Sequence, residues 1–115
     1  MQYRKYNELN ASVIDLSGKL IGDAFMQEMN QTLHKLIDEG IKNVVVDLGK
    51  VSMITSAGVG SLISGFTSMK NVNGCFKLAD VPDKVKGVLY VTKLDTIFNF
   101  YDSVDDALNS LKTPH

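Results

Sequence analysis

The stretch Met53-Ile54-Thr55-Ser56-Ala57-Gly58-Val59-Gly60-Ser61 sets two hydroxyls directly before a run of small residues. Val59, Leu62, Ile63, Phe66 and Met69 then recur on one helical face, so the hydroxyls stand at the start of a helix expected over Ser56 to Lys70. A helix start leaves about four backbone N–H groups unpaired, and with the helix dipole these favour an anion or a phosphorylated hydroxyl. Ala57, Gly58 and Gly60 project almost no side chain, which lets another protein's backbone come close. The chemistry suggested is a docking surface with a switchable serine, to which Met53, Gly58 and Ser61 contribute contacts. A plainer reading uses the same residues structurally: Thr55 or Ser56 caps the helix, and the glycines permit close packing on a sheet.

Catalytic alternatives lack their parts. A P-loop needs a Lys-Ser/Thr pair after its last Gly, and a dinucleotide fingerprint needs three glycines at fixed spacing; neither pattern occurs. Ser61 and Ser64 have no nearby His as base, and Gly58-Val59-Gly60-Ser61-Leu62 is not a nucleophile elbow. One cysteine, Cys75, cannot form an internal disulfide, and two distant histidines give no zinc spacing. Cys75 reads as a buried thiol and His34 as a solvated or half-buried side chain. No enzyme activity, metal or cofactor is expected.

Twelve Lys+Arg against thirteen Asp+Glu give a net charge of -1, which offers nothing to a phosphate backbone, so nucleic acid is not an expected partner. The Met1-Gln2-Tyr3-Arg4-Lys5-Tyr6 start is positive but has no apolar run after it, and no window approaches the roughly 18 apolar residues of a membrane span. The expectation is a cytoplasmic protein with no direct membrane insertion, and 115 residues suit one domain over residues 1–115.

The elements that must position the small-residue cluster follow from periodicity. Ala11 to Leu16 alternate and end at Ser17-Gly18, a strand closed by a turn, with Tyr3 and Tyr6 beginning an earlier strand that pairs with it. Met26, Met29, Leu33, Leu36 and Ile37 mark a helix with Asp23 as cap and Gly40 as stop. Asn43 to Leu48 is a β-branched run with little alternation, expected of a central strand covered on both faces. A loop at Gly49 to Ser52 leads to the small-residue cluster. Asp47, close to that turn, either bonds its N–H groups or the serine, or satisfies its own loop.

Beyond the second helix, Val72-Asn73-Gly74 reads as a turn, Cys75 to Ala79 as a strand, and Pro82-Asp83 as the opening of a helix through Val85, Val88 and Leu89. Thr96 to Tyr101 alternates as a last strand. Asp102-Ser103 then precedes a short helix carrying Val104, Ala107, Leu108 and Leu111, followed by a Thr113-Pro114-His115 tail. Strands alternating with helices predict an α/β fold: a mixed sheet of about four to five strands with helices packed on it.

The Val44-Val45-Val46-Asp47-Leu48 strand, the Ile54-Thr55-Ser56-Ala57-Gly58-Val59-Gly60 turn, and the ending from Val88-Leu89-Tyr90-Val91-Thr92-Lys93-Leu94 to Phe98-Asn99-Phe100-Tyr101-Asp102-Ser103 with Ala107-Leu108 together resemble the STAS domain. Within it the chain is most similar to stand-alone bacterial anti-sigma factor antagonists. That resemblance implies a cytoplasmic, non-enzymatic protein that binds an anti-sigma factor, a serine-protein kinase of the histidine-kinase-like ATPase type. Phosphorylation at the start of the second helix blocks binding, and a serine phosphatase reverses it. The family turn, commonly Asp-Ser-Ser/Thr/Ala-Gly, falls on Thr55, Ser56, Ala57 and Gly58, which makes Ser56 the implied acceptor and Thr55 the second choice. The implied contacts are Met53, Thr55, Ser56, Ala57, Gly58 and Ser61. Thr55 replaces the family acid, and Gly18-Lys19-Leu20-Ile21 stands where relatives often read Gly-Glu-Leu-Asp, so both acids are lost there. The alternative is an unphosphorylated STAS module, an accessory subunit of a transporter or a signalling scaffold.

Overall fold

The computed structural model describes residues 2–112, so the Thr113-Pro114-His115 tail lies outside the described residues. In chain order the elements are β1 (Gln2–Tyr6), β2 (Ala11–Leu20), α1 (Gly22–Asp38), β3 (Asn43–Ile54), α2 (Ser56–Asn71), β4 (Cys75–Ala79), α3 (Asp83–Val91), β5 (Asn99–Tyr101) and α4 (Val104–Lys112), with short 3-10 turns at Asn7–Leu9 and Leu94–Thr96. The five strands form one mixed α/β sheet in the order β1-β2-β3-β4-β5. Only β1 runs antiparallel to its neighbour; β2 through β5 are parallel.

The unalternating run at β3 has the position its composition demands. Val44, Val46 and Leu48 enter a core with Met29, Leu33 and Leu36 of α1, Leu62 and Met69 of α2, and Leu89 of α3. Val45 points to the other face, into a smaller cluster with Ala11, Val13, Ala79, Ala107 and Leu108. Three helices therefore cover one face of the sheet, and α4 covers part of the other. Each core side chain removed from water contributes roughly 1.5–3 kcal/mol, which is what the apolar periods of β3, α1 and α2 exploit.

Several boundaries differ from those read in the sequence. Strand β2 does not close at Ser17-Gly18 but runs on to Leu20, with Gly18 at φ 75. Helix α1 accordingly begins at Gly22 with Ile21 at its N-cap, so Asp23 is a first-turn acid rather than the cap. The loop expected at Gly49 to Ser52 is strand: β3 continues to Ile54, pairing Ser17 with Lys50, Gly18 with Val51, Lys19 with Met53 and Leu20 with Ile54. Two register shifts each spend one extra residue on β3, and bulged strands bend as they leave a regular ladder. The cause is burial: Val51 and Ile54 stay in the core, which keeps their segment on the sheet despite its turn-like residues.

The last strand is shorter than its alternating pattern, three residues instead of six, because the chain first makes the turn at Leu94–Thr96 and buries Phe98 against Phe66 and Phe76. Ser103 caps α4 as its position suggested, its hydroxyl accepting the N–H of Asp106 at 3.0 Å. Cys75 is half-buried rather than enclosed, and Met26 is half-buried where Met29 and Met69 are fully enclosed. His34 is exposed.

Candidate functional site

Ser56 is the first residue of α2 and its side chain is exposed. Thr55, in extended conformation at the N-cap (φ -108, ψ 177), makes no side-chain cap. Both its backbone N–H and its hydroxyl instead donate to the carbonyl of Leu20, at 3.3 and 3.4 Å. The first turn of α2 carries no acid. The helix thus opens with its positive end uncapped by any side chain and an exposed hydroxyl on its first residue, the local electrostatics that suit a negative group.

Strand alternation decides what surrounds Ser56. Leu20 and Ile54 pair in register and both turn into the core, so their predecessors Lys19 and Met53, also paired, point the other way. Met53 is 47% exposed, and Ile21 beyond Leu20 is 45% exposed. Two large apolar side chains on adjacent strand ends therefore lie open to solvent at the sheet edge leading into α2. Ala57 is half-buried.

Gly58 and Ser61 do not belong to this surface, contrary to the sequence reading. Gly58 is buried against β2, where an added Cβ would meet the Leu20 carbonyl oxygen at 2.3 Å. Its lack of a side chain serves the close approach of helix to sheet, not of a partner. Ser61 is 0% exposed and its hydroxyl donates to the carbonyl of Ala57 at 3.1 Å, a back-bond within the helix. Asp47 is likewise remote from the turn, because β3 continues seven residues past it; its carboxylate accepts the N–H of Gly49 at 2.9 Å. Of the named site residues, Met53, Thr55, Ser56 and Ala57 are brought together at the surface. Ile21, directly after the end of β2, is a further exposed apolar residue, which the sequence marks only as a missing acid. Its exposure follows from β2 reaching Leu20, which the Ser17-Gly18 pair concealed.

Among the described residues no group of three or more His, Cys, Asp or Glu side chains is arranged to hold a metal ion, and no helix is long and apolar enough to cross a membrane.

A five-stranded mixed sheet with the α2 start at the end of its central strand is the arrangement of the STAS domain, and the STAS family model matches residues 2–107. The chain belongs to the STAS domain family. It is 28% identical over 105 residues, covering 91% of this chain and 83% of the other, to a Thermotoga neapolitana protein named "Putative anti-sigma factor antagonist TM1081 homolog". The Bacillus cell fate determinant SpoIIAA in its phosphorylated form superposes with a TM-score of 0.72 at 14% identity, covering 96% of this chain and 99% of that one. A sulfate transporter family protein from Wolinella succinogenes superposes with a TM-score of 0.79 at 20% identity, over 90% and 86%. The same fold thus occurs in proteins of different description, and the two structural likenesses establish architecture alone.

Proposed function

We propose that this chain is an anti-sigma factor antagonist: a non-enzymatic cytoplasmic protein that binds an anti-sigma factor through Ile21, Met53, Thr55, Ser56 and Ala57. Its partner is a serine-protein kinase of the histidine-kinase-like ATPase type, which phosphorylates Ser56 and so releases itself; a serine phosphatase resets the switch. The observation that carries this reading is the exposed Ser56 on the uncapped first turn of α2, directly after the strand end that exposes Met53. The name of the Thermotoga relative supports it. A phosphate brings about -1.5 to -2 charges, and setting it within an apolar contact costs desolvation. A penalty of about 3 kcal/mol weakens binding more than a hundredfold.

The test is intact-mass spectrometry after incubation with ATP and the anti-sigma factor encoded nearest to this chain. One phosphate on the parent and none on Ser56→Ala is expected. Undiminished labelling of Ser56→Ala moves the acceptor, to Thr55 first. The absence of the family acid at Thr55 favours a second reading, an unphosphorylated STAS module of a transporter or signalling scaffold. Tight binding to a permease subunit with no phosphate transfer is its expected outcome.

A further inference from the structure

Strand β1 pairs with β2 only as far as Asp15, opposite Gln2, whereas β2 continues to Leu20. Among the described residues no strand lies beside Ser17 to Leu20 on that side, so this end of β2 presents an unpaired sheet edge. The edge opens into a groove of about 500 Å³, lined by Ala24, Phe25 and Glu28 of α1 and by Asp15, Lys19, Ile21 and Lys50. A free edge of this length is a template for one more strand, whose affinity comes from main-chain hydrogen bonds and whose selectivity comes from alternating side chains.

The alternation along the edge specifies that strand. Leu16, Gly18 and Leu20 share the α1 side, because Gly18 and Leu20 pair with the buried Val51 and Ile54. Residues added beside them face Phe25 and Ala24, with Glu28 bordering this apolar pair on α1. Ser17 and Lys19 take the opposite side, and Ser17 pairs with Lys50, so residues added there meet two exposed lysines. Two carboxylates share that side: Asp15, paired with Arg4 at 3.6 Å, and Asp47, which accepts the N–H of Gly49. Lysine and a left-handed Gly18 are devices that keep edges from pairing indiscriminately, and here they leave an edge selective for opposite charge. We propose that the β2 overhang is a strand-addition site for an extended segment of a partner protein in which apolar residues alternate with acidic ones. The proposal needs neither Ser56 nor its phosphorylation.

The probe is the peptide acetyl-Val-Glu-Val-Glu-Val-Glu-amide, titrated into isotope-labelled protein and followed by NMR. Amide shifts confined to Leu16 through Ile21 and the facing turn of α1, with slowed exchange of β2 amides, are expected. The same peptide N-methylated at alternate residues should bind at least about tenfold more weakly, since the ladder bonds on one edge are gone. Lys19→Glu should weaken the acidic peptide by about fivefold or more and reverse the preference toward a Val-Lys peptide, while a dispersed spectrum shows the fold retained. No shifts by about 1 mM peptide, shifts elsewhere, equal binding of the methylated peptide, or indifference to Lys19→Glu would each overturn the proposal. A molar mass that rises with protein concentration, with the same amides shifting in the absence of peptide, would assign the edge to a second copy instead and overturn it too.

Discussion

Gly58 approaches the carbonyl oxygen of Leu20 so closely that a Cβ would stand 2.3 Å from it, and the N–H and hydroxyl of Thr55 converge on that same oxygen. One backbone atom at the end of β2 therefore fixes where α2 begins.

Gly58→Ala tests that anchor. Alanine favours a helix over glycine by about 1 kcal/mol, but here the new methyl meets backbone, which cannot swing aside. A net loss of about 1–3 kcal/mol is expected in urea unfolding. Gly60→Ala is the control: its Cβ would meet nothing nearer than Met26 Cε at 4.0 Å, so the helix gain of up to about 1 kcal/mol should survive. Equal stabilities of the two variants would contradict the close approach.

Ser56→Asp places a carboxylate on the uncapped first turn of α2, where no acid now stands. Stability should rise by about 0.3–1 kcal/mol, and the gain should shrink as salt screens it. Affinity for the proposed anti-sigma factor partner should fall, less than with phosphate's larger charge. Thermal melts and calorimetric titration of one preparation separate the two effects. A mimic that binds normally while folded would argue against the switch.

Lys77, buried beneath α4, donates to the Tyr101 hydroxyl at 2.9 Å and lies 4.9 Å from the centre of its ring. Tyr101→Phe removes that acceptor and should cost about 1.5–3 kcal/mol at neutral pH, whereas Lys77→Met should come close to neutral. Burial pushes the Tyr101 hydroxyl up, but hydrogen bonds with Lys77 and Ser110 and the Lys77 charge outweigh it, so the net shift is downward. A depressed pKa means that the fold favours the tyrosinate. The parent should therefore gain stability over Tyr101→Phe as pH rises through the folded pKa toward about 10, the unfolded value. A tyrosinate absorbance titration of the parent should show an early-ionising component that Tyr101→Phe lacks. Curves of the same shape in both proteins would refute this account.

Asp80 follows β4 in the left-handed region at φ 55, and burial, then Asp47 and Asp102, push its carboxyl up. A raised pKa means that the fold favours the protonated form, so stability is lost as pH rises through the folded value. Asp80→Asn should stabilise at pH 7 by at most about 0.5 kcal/mol, because the exposed group is screened, and the gain should vanish below about pH 4. Denaturation midpoints at the two pH values decide it; an equal gain at both would point to the backbone preference of Asn alone.

The sheet and its helices were readable because Val44 to Leu48 and the apolar periods of α1 and α2 report burial directly. What escaped was the shared extension of β2 and β3. Ser17-Gly18 and Gly49-Lys50 look like turns locally, and only pairing across thirty-odd residues, with Val51 and Ile54 sinking into the core, overrides them. The errors at the site follow from this one. With a loop expected before Thr55, Gly58 reads as open to a partner; with a strand there, it is pressed against Leu20. Ser56 and Met53 were found because hydroxyl-before-helix and methionine-beside-turn are local signals. Ile21 was not, since its exposure depends on where β2 ends.

The cluster beneath α4 is small, built on three alanines, two valines and one leucine, and β5 beside it spans three residues. Little apolar area holds this corner, so the chain should not melt as a uniform block. The segment from β5 to the end of α4 is expected to open as its own cooperative unit, with amide protons there exchanging well below the global unfolding energy while those of β3 wait for complete denaturation. In that partly opened state Val13 and Val45 meet water, and a protease meets α4 before any other helix.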